Sequence, residues 1–401
     1  MQWIKKEADY RVPIKSWCGE IEAEALGQAV DLARHPVIFH HVALMPDCHV
    51  GYGMPIGGVI ASHEAVIPNA VGVDIGCGMG AVQTSLAVSA VDRSQLRMIV
   101  TEVKRNVPCG EGHAHQQPQE WEALDVHMDG CLKRGWYSRH VRELAFRNLG
   151  TLGGGNHFIE VQAGDDGRVW LMIHSGSRHL GNVIARHYHQ VAQTLNRRWR
   201  AALPAQDLAF LPTDSEEGQA YIADMNFSLA YARENRRRIM EGFMAAVSAV
   251  FPDIDFDETI NIHHNYAALE HHFGANVWVH RKGATAASEG QTGIIPGSMG
   301  SPSYIVRGLG NPESFMSCSH GAGRVMGRKA ASRSLSPEAC DRAMTGIVFD
   351  RWNRIRRGRD KGMLDLGEAP QAYKDIDTVI DAELDLIQPM VKLRPLAVVK
   401  G

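Results

Sequence analysis

Forty of the 401 residues are glycine, and they fall mostly in short loops between apolar runs. A chain that turns so often on glycine builds short elements with tight connections. It also brings bare backbone close to something, a neighbouring element or a ligand. The pattern does not resemble a low-complexity linker. With 44% hydrophobic residues over this length, a large core can be buried.

Apolar residues recur at helical spacing over 20–34, 93–107, 178–202 and 215–250, which predicts four helices. The runs 37–45 and 169–176 predict buried strands. "IGGVIAS", "GAVQTSL", "ETINIHH", "NVWVHR", "GIIPGS" and "SYIVRG" predict shorter ones. Residues 108–136 are polar, with Pro, Gly and His, and read as a loop or insertion. The tail reads as mostly helical and ends in "LRPLAVVKG". Helices and strands do not alternate as βαβ units, so the expected class is α+β, with packed mixed sheets surrounded by helices. No repeat or linker tract divides the chain, which points to one large domain over 1–401.

A net charge of -3 gives no overall attraction to a polyanion, so any such partner must meet a local patch. Seven cysteines without a CxxC imply no disulfide framework and fit a reducing compartment. The opening "MQWIKKEADYRVP" lacks the apolar core of a signal peptide. No run approaches the roughly 18 apolar residues of a membrane helix. A cytoplasmic protein with no membrane association is expected.

Twenty histidines exceed what a core needs. His49, His157, His174, His263 and His264 lie where apolar strands meet Gly-rich or polar loops. Asp74 and Cys77 sit in "GVDIGCGMG". A lone histidine at a strand end is ordinarily a satisfied core or loop residue. Asp, Cys and three His together form a metal-ligand set, with hard oxygen, borderline nitrogen and a thiolate able to bridge two cations. Donor type alone suits zinc, because of the thiolate.

"GTLGGGNHFIE" (150–160) lacks the GK[ST] of a P-loop and precedes a strand, so it offers only a generic anion-binding concavity. "PGSMGSPSYIVRGLG" (296–310) is a second such loop, or a plain Pro-Gly hairpin. In "SCSHGAGRVMGR" (317–328), His320 precedes Gly-Ala-Gly and what reads as a helix start. A phosphate there could meet both the ring and a helix N-terminus. A neutral imidazole is a competent nucleophile towards phosphorus. The plainer alternative is that His320 caps the helix.

Taken in order, "MPDCHVGYG", "AVGVDIGCGMG", "LGTLGGGNHFIE", "HSGSRHLGN", "HHNY", "RKGA", "GIIPGSMGSPSYIVRGLGN", "SCSHGAGRVMGR", "YKDID" and the final "VKG" resemble the RtcB family of RNA ligases. The likeness runs from about residue 37 to the end and implies an RtcB-like fold. It implies a ligase using GTP and two Mn²⁺ ions, joining RNA 2′,3′-cyclic-phosphate or 3′-phosphate ends to 5′-hydroxyl ends. His320 would be guanylylated, and the RNA 3′ end would then carry the guanylate. Asp47 would orient the His320 ring.

The resemblance implies metal ligands at Asp74, Cys77, His157, His174 and His264, with Cys77 bridging. It places the guanylate along Asn156, His157, Phe158, Ile159 and Glu160, then at His264 and Asn265. The same nucleotide would meet Pro296, Gly297, Ser298, Met299 and Ser303, then His320, Gly321, Ala322, Gly323 and Lys400. Arg178 would meet the RNA phosphate. Some members act with an activating protein partner, which leaves such a partner open for this chain.

The chain departs from the family at Tyr52, where many members have Lys, and at Cys48, where Val is common. This points to a repair-type paralogue, acting in RNA repair or tRNA splicing. A metal-dependent cyclic phosphodiesterase that needs no GTP is the alternative. It would require the metal cluster but neither His320 nor Lys400. The basic stretches 196–200, 235–240 and 351–362 read as helix faces available to an RNA backbone. Exchanging Arg356 and Arg357 for Glu is expected to lower ligation and spare His320 guanylylation.

Overall fold

The computed structural model describes residues 1–133, 136–356 and 358–401. Two large sheets organise the chain. The first has six strands in the order Trp3–Lys5, Ile14–Ser16, Ile38–His49, Ile56–Ser62, Ala275–Lys282 and Asn265–His272. The second runs Ile260–His263, Gly78–Ala87, Arg168–Ser175, Phe158–Gly164, Ile387–Lys400, Ser303–Gly308 and Thr292–Ile295. Val348–Phe349 joins it beside the C-terminal strand. The α+β class with packed mixed sheets and surrounding helices is what the structure has.

Alternation along the strands assigns their faces. Ala43 and Met45 of the first sheet share a core with Ile295, Tyr304 and Val306 of the second, so this core lies between the sheets. Val42 and Leu44 point the other way, onto Ala29, Leu32 and Ala33 of helix Ala23–Arg34. In the second sheet, Leu171 and Ile173 pack with Ile99 and Val103 of helix Arg93–Asn106. The same layer takes Ile239, Phe243 and Val247 of the 33-residue helix Glu216–Ser248. No helix among the described residues is long and apolar enough to cross a membrane.

Three expectations need correction. Residues 108–136 contain the helix Glu122–Lys133, which buries Leu124 and Met128 against Tyr137 and Tyr231. Its apolar stripe is too narrow to stand out in a polar segment. The tail is not mostly helical. Its helices are short (Arg328–Ser334, Pro337–Ala343, Ile376–Asp381), and it closes with the 14-residue strand Ile387–Lys400. The described residues of 351–362 form no helix, and Arg357 lies outside the described residues.

Candidate functional site

The metal-ligating candidates gather at one end of the second sheet. Asp74 and Cys77 lie on the turn entering strand Gly78–Ala87, where the Cys77 N–H donates to the Asp74 carbonyl (3.1 Å). Gly76 of that turn has φ 81°, and a Cβ there would stand 2.8 Å from the Ala232 Cβ of the long helix. Glycine is therefore required by both conformation and space. Strand pairing sets His174 opposite Phe158 on one side and Met79 on the other. The His264 N–H donates to the Cys77 carbonyl (2.9 Å).

The Asp74, Cys77 and His157 donor atoms lie within 4.8 Å of one another, and so do those of Cys77, His174 and His264. Cys77 is common to both groups. His157 Nδ1 is 2.9 Å from the Leu152 carbonyl and His174 Nδ1 is 3.1 Å from that of Asn156. The Asn156 carbonyl sets the proton of His174 on Nδ1, and both Nε2 atoms face Cys77 Sγ, His157 at 3.6 Å and His174 at 3.2 Å. His264 Nδ1 is buried without a partner among the described residues. Burial holds the His174 and His264 imidazoles well below their usual range, so both are neutral donors. Burial, with Asp74 adding to it, raises the Cys77 thiol well above its usual range. A thiolate there requires the charge of a cation. This donor set fits a divalent metal.

His263 is not in this group. Its Nδ1 faces Arg236 (2.9 Å) and the Gly76 carbonyl (3.2 Å). Arg236 belongs to a stretch that reads as a solvated basic face, yet it is fully buried. Arg178 is also drawn inward, with Nε donating to Thr151 Oγ1 (3.2 Å) and Nη1 3.3 Å from His157. With His179, Asn182 and Arg186 it lines a recess beside Asp74.

His320 stands between the two sheets. It follows strand Ser317–Ser319, which pairs with Ala284–Ala286. Gly283, φ 58°, leaves room for the ring, since a Cβ there would sit 3.0 Å from His320 Cε1. Asp47 comes from the first sheet, where pairing breaks between Leu44 and His49 and the strand leaves its ladder. His320 Nδ1 donates to Asp47 Oδ2 at 2.6 Å, and the His320 backbone N–H lies 3.2 Å from the same oxygen. Asp47 is fully buried, and its Oδ1 has no partner among the described residues. The carboxylate therefore fixes the orientation of the ring beside it. The His320 and His264 rings are 4.8 Å apart, so the pair adjoins the metal-ligating cluster.

No helix begins directly after His320. Residues 321–327 form turns, and the next helix starts at Arg328. The helix-terminus expectation is therefore withdrawn. Gly323, φ 73°, serves a different need, because a Cβ would overlap the Asp47 carbonyl.

A cavity of about 520 Å³ opens beside His320, a size suited to a nucleotide. Asn156, Phe158, Pro296, Gly297, Ser298 and Met299 line it, with His320, Gly321, Ala322, Gly323 and Lys400. Glu160 lies buried behind this wall, accepting from Gln162 (2.6 Å), and burial raises its carboxyl to about 7. Ile159 packs into the core. Ser303 accepts from the Gly297 N–H (3.1 Å), and Asn265 ties the Gly283 N–H (2.8 Å) to the Asp74 carbonyl (3.1 Å). These four support the wall and do not form it.

Sequence reasoning missed Arg324, Arg328 and Glu368 in the lining. Glu368 accepts from Arg328 Nε (2.6 Å), Arg324 Nη1 (3.3 Å), Tyr373 Oη (2.5 Å) and Lys400 Nζ (3.3 Å). Only the "YKDID" segment hinted at this cluster. Tyr52 is 55% exposed and donates to Asp207 (3.1 Å), while Cys48 is buried.

These features define an α+β protein with a nucleotide-sized cavity, a histidine on its wall backed by a buried carboxylate, and alongside it a buried Asp/Cys/His cluster whose donors fit a metal ion. Residues 28–401 match the family model described as tRNA-splicing ligase RtcB. The chain is 40% identical to the RNA-splicing ligase RtcB of Escherichia coli (strain K12), over 97% of each chain. It is 35% identical to the RNA-splicing ligase RtcB of Mycobacterium tuberculosis, over 93% of this chain and all of the other. The tRNA-splicing ligase RtcB of Thermococcus kodakarensis is 33% identical, over 94% and 91%. The chain belongs to the RtcB family.

Proposed function

We propose that this protein is an RNA ligase that joins 3′-phosphate or 2′,3′-cyclic-phosphate ends to 5′-hydroxyl ends, with GTP as co-substrate and Mn²⁺ as its metal. The observation that carries this reading is His320 on the cavity wall, backed by the buried Asp47 and next to the Asp/Cys/His cluster. Asp47 holds the proton on Nδ1, which leaves the Nε2 lone pair free. Nε2 attacks the α-phosphorus of GTP and pyrophosphate departs. Asp47 then stabilises the cationic, guanylylated ring. The RNA 3′-phosphate displaces His320 from the guanylate, and the 5′-hydroxyl attacks that activated end and expels GMP.

Asp74, Cys77, His157, His174 and His264 would hold the metal, which neutralises charge on phosphoryl oxygens during such transfers. Phe158 offers a ring face to the base and Lys400 a donor for its edge, with Glu160 buried behind the wall that carries them. Arg178 and the recess beside Asp74 give an RNA phosphate a positive approach.

The test is incubation with Mn²⁺ and α-labelled GTP, denaturation, and detection of label on the protein, with His320→Ala alongside. Acid-labile label, absent from the variant, is expected. An unlabelled wild-type protein that still opens cyclic phosphates would replace this reading with the GTP-independent phosphodiesterase.

A further inference from the structure

We propose that Lys374, the lysine of "YKDID", is a positioning residue that sets the alignment of Asp47 with His320. The inference rests on the ligase reading above and concerns how that site is held in register.

Asp47 lies where its strand has left the ladder, so sheet pairing does not fix its backbone. Lys374 Nζ supplies what the ladder does not. It donates to the Pro46 carbonyl (3.0 Å) and to the Cys48 carbonyl (2.8 Å), one on each side of Asp47. Cys18 Sγ lies 3.5 Å from the same ammonium. The Lys374 backbone N–H donates to the Gly323 carbonyl (3.0 Å), and the Val325 N–H donates to the Ala372 carbonyl (3.0 Å). One residue therefore grips the segment that carries the carboxylate and, through its main chain, the loop that follows the histidine. Among the described residues the Asp47 side chain hydrogen-bonds only to His320. Its direction is therefore set through the backbone, and a lost grip there turns Oδ2 away from Nδ1.

The preceding residue faces the other end of the cavity. Tyr373 Oη donates to Glu368 (2.5 Å), the carboxylate that also takes Lys400 and Arg328. Neighbouring side chains thus serve different ends of one site. The kinetics should separate them, because a group that aligns the reacting atoms acts on the rate and one that shapes the nucleotide pocket acts on binding.

The experiment measures single-turnover guanylylation of the full chain with Mn²⁺ and labelled GTP, across a GTP series. Lys374→Met should lower the maximal rate about ten-fold or more, with the half-saturating GTP concentration within about two-fold of wild type. Lys374→Arg, which restores donors to the two carbonyls, should recover most of the rate. Tyr373→Phe should instead raise the half-saturating concentration. Wild-type rates from Lys374→Met would overturn the proposal. So would equal losses in the Met and Arg variants accompanied by a matching fall in thermal midpoint, the mark of a merely structural residue. A wild-type chain that takes no label sinks the ligase reading itself, and the inference with it.

Discussion

Behind His320 stand two buried carboxylates with different duties. Asp47 faces the ring, while Glu383 faces the residue before it. The Ser319 N–H donates to Glu383 Oε2 (2.8 Å), and the Ser319 hydroxyl pairs with Oε1. Burial is the main force that raises the Glu383 carboxyl to about 8, and Asp47 and Asp385 add to it. The unfolded chain releases this proton near pH 4.3. Between those values the folded state keeps a proton that the unfolded state has lost. The contribution to stability is whole at low pH and is lost as pH rises through about 8. Glu383→Gln copies the protonated form, with an oxygen for the Ser319 N–H and an amide for the hydroxyl. The fall in thermal midpoint from about pH 5 to 8.5 should be shallower in this variant. Parallel profiles would remove Glu383 as the source.

At the scale of elements, the long helix Glu216–Ser248 does more than cover a sheet. Arg236 on its inner face donates from Nε to Asn261 (2.8 Å) and from Nη1 to the carbonyls of Gly76 (2.7 Å) and Ser175 (3.0 Å), and Nη2 meets His263 (2.9 Å). It fastens the strands and turn that bring Cys77, His174 and His264 together. Arg236→Met would leave these buried acceptors unpaired, at about 1–3 kcal/mol for each one unmet. A loss of about 3 kcal/mol or more in urea unfolding is expected, together with weaker metal binding. A shift below about 1 kcal/mol would show that the strands hold without it.

Sequence pattern did not expose this role, because NRRRIM places a buried Arg236 beside Arg237, which is paired with Glu234 and Glu241. Which arginine turns inward is decided by strands far along the chain. The C-terminal strand was hidden for another reason. Pro389 and Pro395 read as breakers, yet both sit where the pairing register shifts, where proline is tolerated. The helices over 93–107, 178–202 and 215–250 and the buried strand at 169–176 were legible, because their periodicity is long or their apolar run unbroken. The donor residues were legible as types at strand ends. Their convergence was not, since it is a product of strand register.

At the scale of the molecule, the metal-ligating set joins four separate stretches of chain: the Asp74–Cys77 turn, the loop before strand Phe158–Gly164, strand Arg168–Ser175, and His264. No unfolded chain holds these donors together, so a cation that binds them favours the folded state. At a concentration 100 times its dissociation constant, that preference is worth about 2.7 kcal/mol. Mn²⁺ should therefore raise the thermal midpoint of chelator-treated protein, by an amount that grows with its concentration. Cys77→Ser, which alters the donor shared by both groups, should lose most of the rise. His320→Ala, whose ring adjoins the cluster but is in neither group, should keep it. Running Zn²⁺ in parallel addresses the conflict between the thiolate, which suits zinc, and the family likeness, which implies manganese. A rise with Zn²⁺ and none with Mn²⁺ would mean that donor chemistry, and not family, sets the resident ion. An equal Mn²⁺ response in Cys77→Ser would place the cation elsewhere.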